Sequence, residues 1–432
     1  MTRMADGSVV SNEDRVAGGG LLHRRLLFGA GSMLAGAALV APRGALGAAN
    51  PHDDLPPSML KPGATMRGYG QPSPYEASVQ RGIGRPLPEI APGTGVSNTP
   101  LQYMDGFITP NGLHFERHHN GVPDIDPKTH KVLIHGLVQR PLTFTVEDLL
   151  RYPMVSRLVF IECGGNSGRN TAKEPLQLPF HMVNGLLSCA EWTGVPLGLL
   201  LEEAGVDPRG KWILAESADA AGMSRSIPLE KAMGDTIVAL YQNGERVRPE
   251  NGYPARLVVP GWIGNINVKW LRRIKVVDRP YLRRMDGVGQ PNLMPDGKAR
   301  QLSFVLEAKS VITFPSGGQQ LPGLGLYEIR GLAWSGRGLI RRVEVSTDSG
   351  KTWRDAHLQE PVLPLAHTRF RLDWRWDGRE AVLQSRGTDE TGYVQPTLAE
   401  LVKVRGLNSI YFNNAIQSWK VAADGSVHNV HV

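Results

Sequence analysis

The chain has 432 residues, too long for one ordinary domain, and its 41% apolar share is that of an ordinary water-soluble protein. A net charge of +7 suits an anionic ligand or partner, but no Lys/Arg block is interleaved with aromatics, which speaks against nucleic acid. Only two cysteines are present, Cys163 and Cys189, and this excludes a disulfide scaffold, a CxxCH haem site and a multi-thiolate zinc site.

Residues 1–20 are polar. His23-Arg24-Arg25-Leu26-Leu27-Phe28 then opens an uncharged stretch from Leu26 to Val40, and small residues follow from Ala45 to Ala49. Charge, apolar run and small-residue exit make an export signal, too short to span a membrane. The arginine pair before Leu-Leu-Phe indicates the twin-arginine route to the periplasm, which carries folded proteins. Residues 1–48 are therefore set apart from the fold. Residues 49–100 are rich in Pro and Gly without periodicity and read as an irregular arm.

Residues 101–300 mix strands and helices. Val132–Gly136, Lys211–Ala215, Thr236–Leu240 and Arg256–Val259 read as strands. Thr145 is an N-cap for a short helix from Val146 to Leu150, and a second helix from Leu197 to Ala204 closes at Gly205. From 301 to 432 the pattern is all-β. Lys309–Thr313, Gly325–Arg330, Ile340–Val345, Phe370–Trp376 and Ala381–Arg386 are short strands, and Thr347–Lys351 is a hairpin turn leading to Thr352-Trp353. The fold class is α+β: a mixed domain with mixed sheets, then an immunoglobulin-like sandwich. No internal repeat and no transmembrane span is found after the signal.

The stretch Phe160-Ile161-Glu162-Cys163-Gly164-Gly165-Asn166-Ser167-Gly168-Arg169 organises the chain. An apolar run from Leu158 to Ile161 reads as a buried strand. It stops at a cysteine, and glycines then free the backbone and leave room for something large to approach. A thiol at the end of a rigid strand suits a metal ligand or a nucleophile. It also suits a small buried core residue, and this stretch alone does not separate the two.

The ordered set Arg117, Glu162-Cys163-Gly164-Gly165-Asn166, Trp192, Ser226-Ile227-Pro228, Gly252-Tyr253-Pro254-Ala255-Arg256, Val259-Pro260-Gly261 and Asn267-Val268-Lys269-Trp270 resembles the sulfite oxidase family of molybdenum enzymes. Val343-Glu344-Val345-Ser346 and Gly350-Lys351-Thr352-Trp353 resemble that family's dimerisation domain. Within the family, His118-His119-Asn120-Gly121-Val122-Pro123-Asp124-Ile125-Asp126, Leu293–Arg300 and Asn413–Trp419 look like SoxC-type molybdenum subunits of bacterial sulfane dehydrogenases.

The resemblance implies a molybdenum–molybdopterin cofactor with Cys163 as the thiolate ligand of the metal, in keeping with the preference of soft metals for thiolates. Phe115, Glu116, Arg117, His118 and His119 match the loop along the pterin, and Arg117 would stabilise an anionic substrate. Asp219, Arg256, Asn267, Val268 and Lys269 match positions that hold the pterin and its phosphate. Asn251 stands where vertebrate members have histidine, and Trp192 matches an aromatic wall of the substrate pocket. Taken singly, Arg117 reads equally as a solvated loop charge, Asp219 as a turn residue, Arg256 as a strand-edge ion pair and Trp192 as core.

The departures bear on substrate. Sulfite oxidases carry two arginines directly after the cysteine turn; here those positions are Ser167 and Gly168, with Arg169 one step late. The C-terminal arginine that completes the sulfite pocket has no match near Ser418. Gln290 takes the place of the active-site tyrosine, with Tyr281 as a possible substitute. Fewer arginines give a wider, less charged pocket, one for sulfane sulfur borne as a persulfide on a SoxYZ-like carrier protein. With no CxxCH site in this sequence, the resemblance implies an external c-type cytochrome, SoxD-like, and a homodimer within a heterotetramer. Two alternatives stay open: a periplasmic sulfite dehydrogenase, and a secreted Ig-like binding module with a Cys163–Cys189 disulfide.

Overall fold

The computed structural model describes residues 2–3, 9–10, 16–17, 21–22, 57–59, 62, 64–84, 88–283, 292–406 and 411–432. The arginine pair, the apolar stretch after it and Gln290 lie outside the described residues. The chain divides into Met1–Gln71 and Pro72–Val432. In the first unit Thr2–Arg3 pairs with Val9–Val10, Val16–Ala17 pairs with Leu21–Leu22, and Pro57–Met59 forms a 3-10 turn.

In the second unit, local signals and elements agree closely. The helix Val146–Leu150 starts where Thr145 Oγ1 accepts the Asp148 N–H at 3.0 Å and Asp148 Oδ2 accepts the Thr145 N–H at 2.9 Å, a reciprocal capping box. The helix Leu197–Ala204 ends at Gly205, whose φ of 69° lets its N–H reach back to the last turn.

Two five-stranded sheets build the mixed domain. One orders Val155–Glu162, Leu187–Pro196, Ile237–Gln242 and Glu245–Arg246, with Arg256–Val258 also paired to Ile237–Gln242. The other orders Ser224–Pro228, Trp212–Ser217, Leu271–Val277, Lys131–Gly136 and Leu142–Thr145. Leu271–Val277 runs parallel to Lys131–Gly136, so this sheet is mixed. Ile134, Leu200, Leu201, Ile213 and Ile274 are fully buried in the core.

From Lys309 onward two antiparallel sheets form the sandwich. One holds Lys309–Phe314, Gly325–Trp334, Thr368–Trp376 and His357–Leu358; the other holds Arg354–Asp355, Ile340–Ser346, Ala381–Asp389, Ser418–Val421 and Val427–Val430. Trp334 and Trp419 fill its interior. The hairpin after Ser346 returns at Arg354–Asp355, slightly later than Thr352-Trp353. The helix Leu398–Arg405 was not anticipated, although Thr397 and Glu400 make the same kind of capping box as Thr145 and Asp148.

Two expectations are corrected. Residues 49–100 are not uniformly irregular, because Gly82–Ile83 and Gly95–Asn98 join Glu116–His118 in a three-stranded sheet. The disulfide-linked module is overturned, because both cysteines are free. Cys189 stands opposite Phe160 in the ladder, not opposite the strand end that leads to Cys163. Among the described residues no helix is long and apolar enough to cross a membrane.

Candidate functional site

The strand Val155–Glu162, buried from Val159 onward, delivers Cys163 to the floor of a cavity with about 700 Å³ of empty volume. Phe115, Arg117 and His119 come to it from the strand Glu116–His118 and its flanks. Asp219 arrives from the turn after Trp212–Ser217, Asn251 from a 3-10 turn, Arg256 from a short edge strand paired to Ile237–Gln242, and Asn267, Val268 and Lys269 from the loop before Leu271–Val277. Residues spread over 150 positions of sequence thus meet at one place. Cys163 is held by its N–H on Leu186 O at 2.9 Å, while its own carbonyl accepts the Asn166 N–H at 2.9 Å. Burial pushes its thiol pKa up, and nearby Arg117 opposes that.

Three cations converge here. Arg256 is buried and, among the described residues, forms no ion pair with a carboxylate: Nη1 donates to Asn251 O at 2.7 Å and Nη2 to Asn267 O at 3.1 Å. Burial brings its pKa down to about 9. Lys269 Nζ lies 2.9 Å from His118 Nδ1, 3.0 Å from Glu250 O and 3.3 Å from Arg117 O, and 4.2 Å from the centre of the Trp270 ring. Burial, then Arg256, hold its pKa well below the ordinary lysine value. An anion entering the cavity would relieve both groups. The Asp219 carboxylate is already engaged, accepting Ser217 Oγ–H at 2.8 Å and the Met223 N–H at 3.3 Å.

The cavity is unfinished in one respect. Asn251 Nδ2 and both polar side-chain atoms of Asn265 are buried without a hydrogen-bond partner, and both residues line it. Such groups are rarely left so, because each lost bond costs about 1–3 kcal/mol. A ligand carrying donors, acceptors and negative charge would satisfy all of them at once.

Two sequence expectations move. Glu116 and His118 do not line the cavity: Glu116 is ion-paired with Arg81 and lies 2.6 Å from His118 Nε2, and His118 receives Lys269 from behind. Trp192 is not a wall of it either. Its side chain is fully buried, and the Arg256 guanidinium lies 4.7 Å from its ring centre, so it supports the site from below. Tyr281 exchanges hydrogen bonds with Ser226 in a different hollow and does not line the cavity.

Several residues escaped sequence reasoning. His114, Glu250, Gly264 and Asn265 line the cavity. The signal for Asn265 was present, since Gly264-Asn265-Ile266-Asn267 places two amides in an otherwise apolar run. Tyr411 lies against the cysteine turn: a methyl added to Gly164 would meet its Cδ1 at 3.4 Å.

An oxidoreductase molybdopterin-binding domain matches residues 119–284, and a Mo-co oxidoreductase dimerisation domain matches residues 300–419. The crystal structure of the sulfane dehydrogenase SoxCD from Paracoccus pantotrophus contains a chain that is 46% identical, with a TM-score of 0.86, over 89% of this chain and 100% of that one. The chain belongs to the sulfite oxidase family of molybdopterin oxidoreductases. NADH nitrate reductase 2 of Phaseolus vulgaris is 33% identical over 68% of this chain, and the NAD(P)H nitrate reductase of Hordeum vulgare 32% over 67%. The match spans only 37% and 36% of those two relatives' lengths. Membership makes this chain an oxidoreductase with a molybdenum–molybdopterin cofactor, and the unpartnered amides and clustered cations of the cavity fit such a group.

Proposed function

We propose that this chain oxidises sulfane sulfur borne as a persulfide on a carrier protein, at a molybdenum held through Cys163, and passes the electrons to a c-type cytochrome. The observation that carries the reading is the cavity itself. A free thiol, three cations and unpartnered amides meet there. Whole-chain similarity to a sulfane dehydrogenase chain supports the substrate class.

When bound, the molybdenum cofactor supplies two-electron oxygen-atom transfer. The residues do the rest. Cys163 gives up its thiol proton to serve as ligand, and its burial makes that loss unfavourable without a cation. Among the described residues no group of three His, Cys, Asp or Glu side chains can hold a metal, so further ligands would come from the cofactor. Arg256 and Lys269 would hold it through its negative charge, and the unpartnered side chains of Asn251 and Asn265 would bond it beside Asn267 and Asp219. Arg117 draws the anionic sulfur group into place. Trp192 fixes the plane of Arg256.

Substrate choice rests on what stands after the turn. Ser167 and Gly168 are buried and uncharged, Arg169 is exposed, and none of the three lines the cavity. With no arginine at either position, a small free dianion lacks two charge-assisted contacts, which favours a less charged sulfur group. On this reading the Arg24-Arg25 pair and the apolar run after it direct export to the periplasm, and the enzyme works as a homodimer within a heterotetramer with the cytochrome subunit.

The test is molybdenum analysis followed by a substrate comparison. About one molybdenum per chain is expected, lost in Cys163→Ser. With a c-type cytochrome as acceptor, a protein-borne persulfide should show higher kcat/KM than sulfite or nitrate. Full turnover by Cys163→Ser defeats the site assignment. Preference for free sulfite returns the protein to the sulfite dehydrogenases.

A further inference from the structure

Glu162 directly precedes Cys163, and its side chain is only 5% exposed. A carboxylate so enclosed needs partners, and it has three. Lys309 Nζ and Asn166 Nδ2 donate to Oε1 at 3.0 and 2.9 Å, and Trp334 Nε1 donates to Oε2 at 2.8 Å. Lys309 and Trp334 both belong to the C-terminal sandwich.

Lys309 opens the first sandwich strand with its side chain 3% exposed. Its ammonium also donates to Ser167 Oγ at 2.6 Å. This is the position where sulfite oxidases carry an arginine, so positive charge reaches the back of the turn from the other domain. Ser167 sits at φ 53°, a left-handed conformation that a serine keeps only when its surroundings hold it. Asn413 Nδ2 donates to Ser167 O at 2.8 Å, and the Phe412 N–H donates to Gly164 O at 2.9 Å. Both ends of the 163–167 turn are therefore tied to the sandwich, one end through a buried ion pair.

We infer that Lys309 and Glu162 are a positioning pair through which the C-terminal domain fixes the backbone that carries Cys163. A buried pair suits this task because its contacts are directional and a displaced partner leaves an uncompensated charge. The cavity and the sandwich then act as one machine: docking of the sandwich completes the cysteine turn. The inference concerns the turn itself, and only its effect on the metal rests on the proposed role of Cys163.

The test compares Lys309→Met with the pair Glu162→Gln/Lys309→Met, which removes both charges together. In full-length protein freed of cofactor, alkylation of Cys163 is timed against buried Cys189 as an internal reference. In the loaded enzyme, the molybdenum(V) electron paramagnetic resonance spectrum and the kcat–KM split are recorded. The folded pair variant should show alkylation of Cys163 faster by about 10- to 100-fold, an altered molybdenum spectrum, and a loss in kcat of similar size with KM little changed. A purely structural role would lower thermal stability and leave the alkylation ratio and the spectrum alone, which overturns the inference. Should Lys309→Met fail to fold, the charge-neutral pair decides. Absence of molybdenum from the unsubstituted protein defeats the cofactor reading, and the alkylation ratio still decides the positioning role.

Discussion

Val96 stands opposite Arg117 in an antiparallel ladder, so the segment before residue 100 holds the strand that brings an arginine into the cavity. Its grip is specific. Thr94 Oγ1 donates to His119 O at 2.6 Å, and Ser97 Oγ accepts the Glu116 N–H at 3.1 Å. Thr94 and Ser97 are both buried. Replacing them together, Thr94→Val/Ser97→Ala, leaves a carbonyl and an amide unpaired, at about 1–3 kcal/mol each. The Arg117 strand should loosen, and kcat/KM should fall by about tenfold or more with the chain still folded. Steady-state kinetics beside a melting curve measures this; unchanged kcat/KM would mean that the segment is a passive cover.

Arg256 separates stability from cofactor retention. Burial disfavours its charge, with its pKa brought down to about 9, whereas its bonds to Asn251 O and Asn267 O favour it. These terms oppose each other, and Arg256→Met should lie within about 2 kcal/mol of the parent in chemical denaturation. Molybdenum retention should nevertheless drop sharply, because methionine offers an anion nothing. Arg256→Lys keeps a charge but loses the planar fork that bonds both carbonyls and lies against Trp192, so it should restore little. Metal content after gel filtration distinguishes the three proteins.

What could be read beforehand was whatever is local. The Thr145 cap, the Leu197–Ala204 helix closed at Gly205, and the strand that stops at Cys163 depend on neighbours in sequence, and all lie where expected. Trp192 was misplaced because an aromatic residue in an ordered motif does not reveal how deeply it is buried. The pairing of Gly95–Asn98 was hidden because Gly-Val-Ser-Asn carries no alternating apolar pattern, and its partner lies across a long loop. Lys309 was invisible for the same reason on a larger scale, since the carboxylate it meets is 147 positions away. The cavity was legible from family motifs, and its supports from the opposite domain were not.

Buried histidines set the acid limit of the fold: burial, with Lys269 and Arg117 nearby, takes the His118 pKa down to about 3, and burial also lowers those of His130, His135 and His181. His114 and His367 are fully buried, each with an unpartnered Nε2, and burial takes both pKa values down to about 3. Arg256, Lys269 and Arg81 around His114, and Arg369 beside His367, push the same way. Because the folded pKa is depressed, the unfolded chain binds more protons between pH 6.5 and 3. Stability is therefore unaffected above pH 6.5 and falls as pH drops through that window, by about 1.4 kcal/mol per pH unit for each of His114 and His367. Denaturation at pH 7.5, 6.5, 5.5 and 4.5 should show a plateau and then a decline. His367→Phe should remove its own share of the decline, about 1.4 kcal/mol per pH unit, and leave the rest. A slope the same as the parent's would place the acid sensitivity elsewhere.

Two glycines near the cysteine make opposite predictions. A methyl on Gly264 would stand 2.7 Å from Glu162 O and 3.1 Å from the Cα of Cys163. Both are backbone atoms and cannot rotate away. Gly264→Ala must therefore push the cavity wall off the cysteine, at about 1–3 kcal/mol of overpacking. A methyl on Gly165 would meet only Tyr411 Cε1, at 3.9 Å, which is ordinary contact. Gly165 is two residues from Cys163 along the chain and Gly264 packs against it across space, so both are neighbours of the cysteine. The geometry ranks them apart: Gly264→Ala should lose most of its molybdenum, and Gly165→Ala should keep it and gain slightly in stability through a less flexible unfolded chain. Metal analysis of the two purified variants decides, and equal loss in both would show that the turn tolerates no change for reasons other than the Gly264 contact.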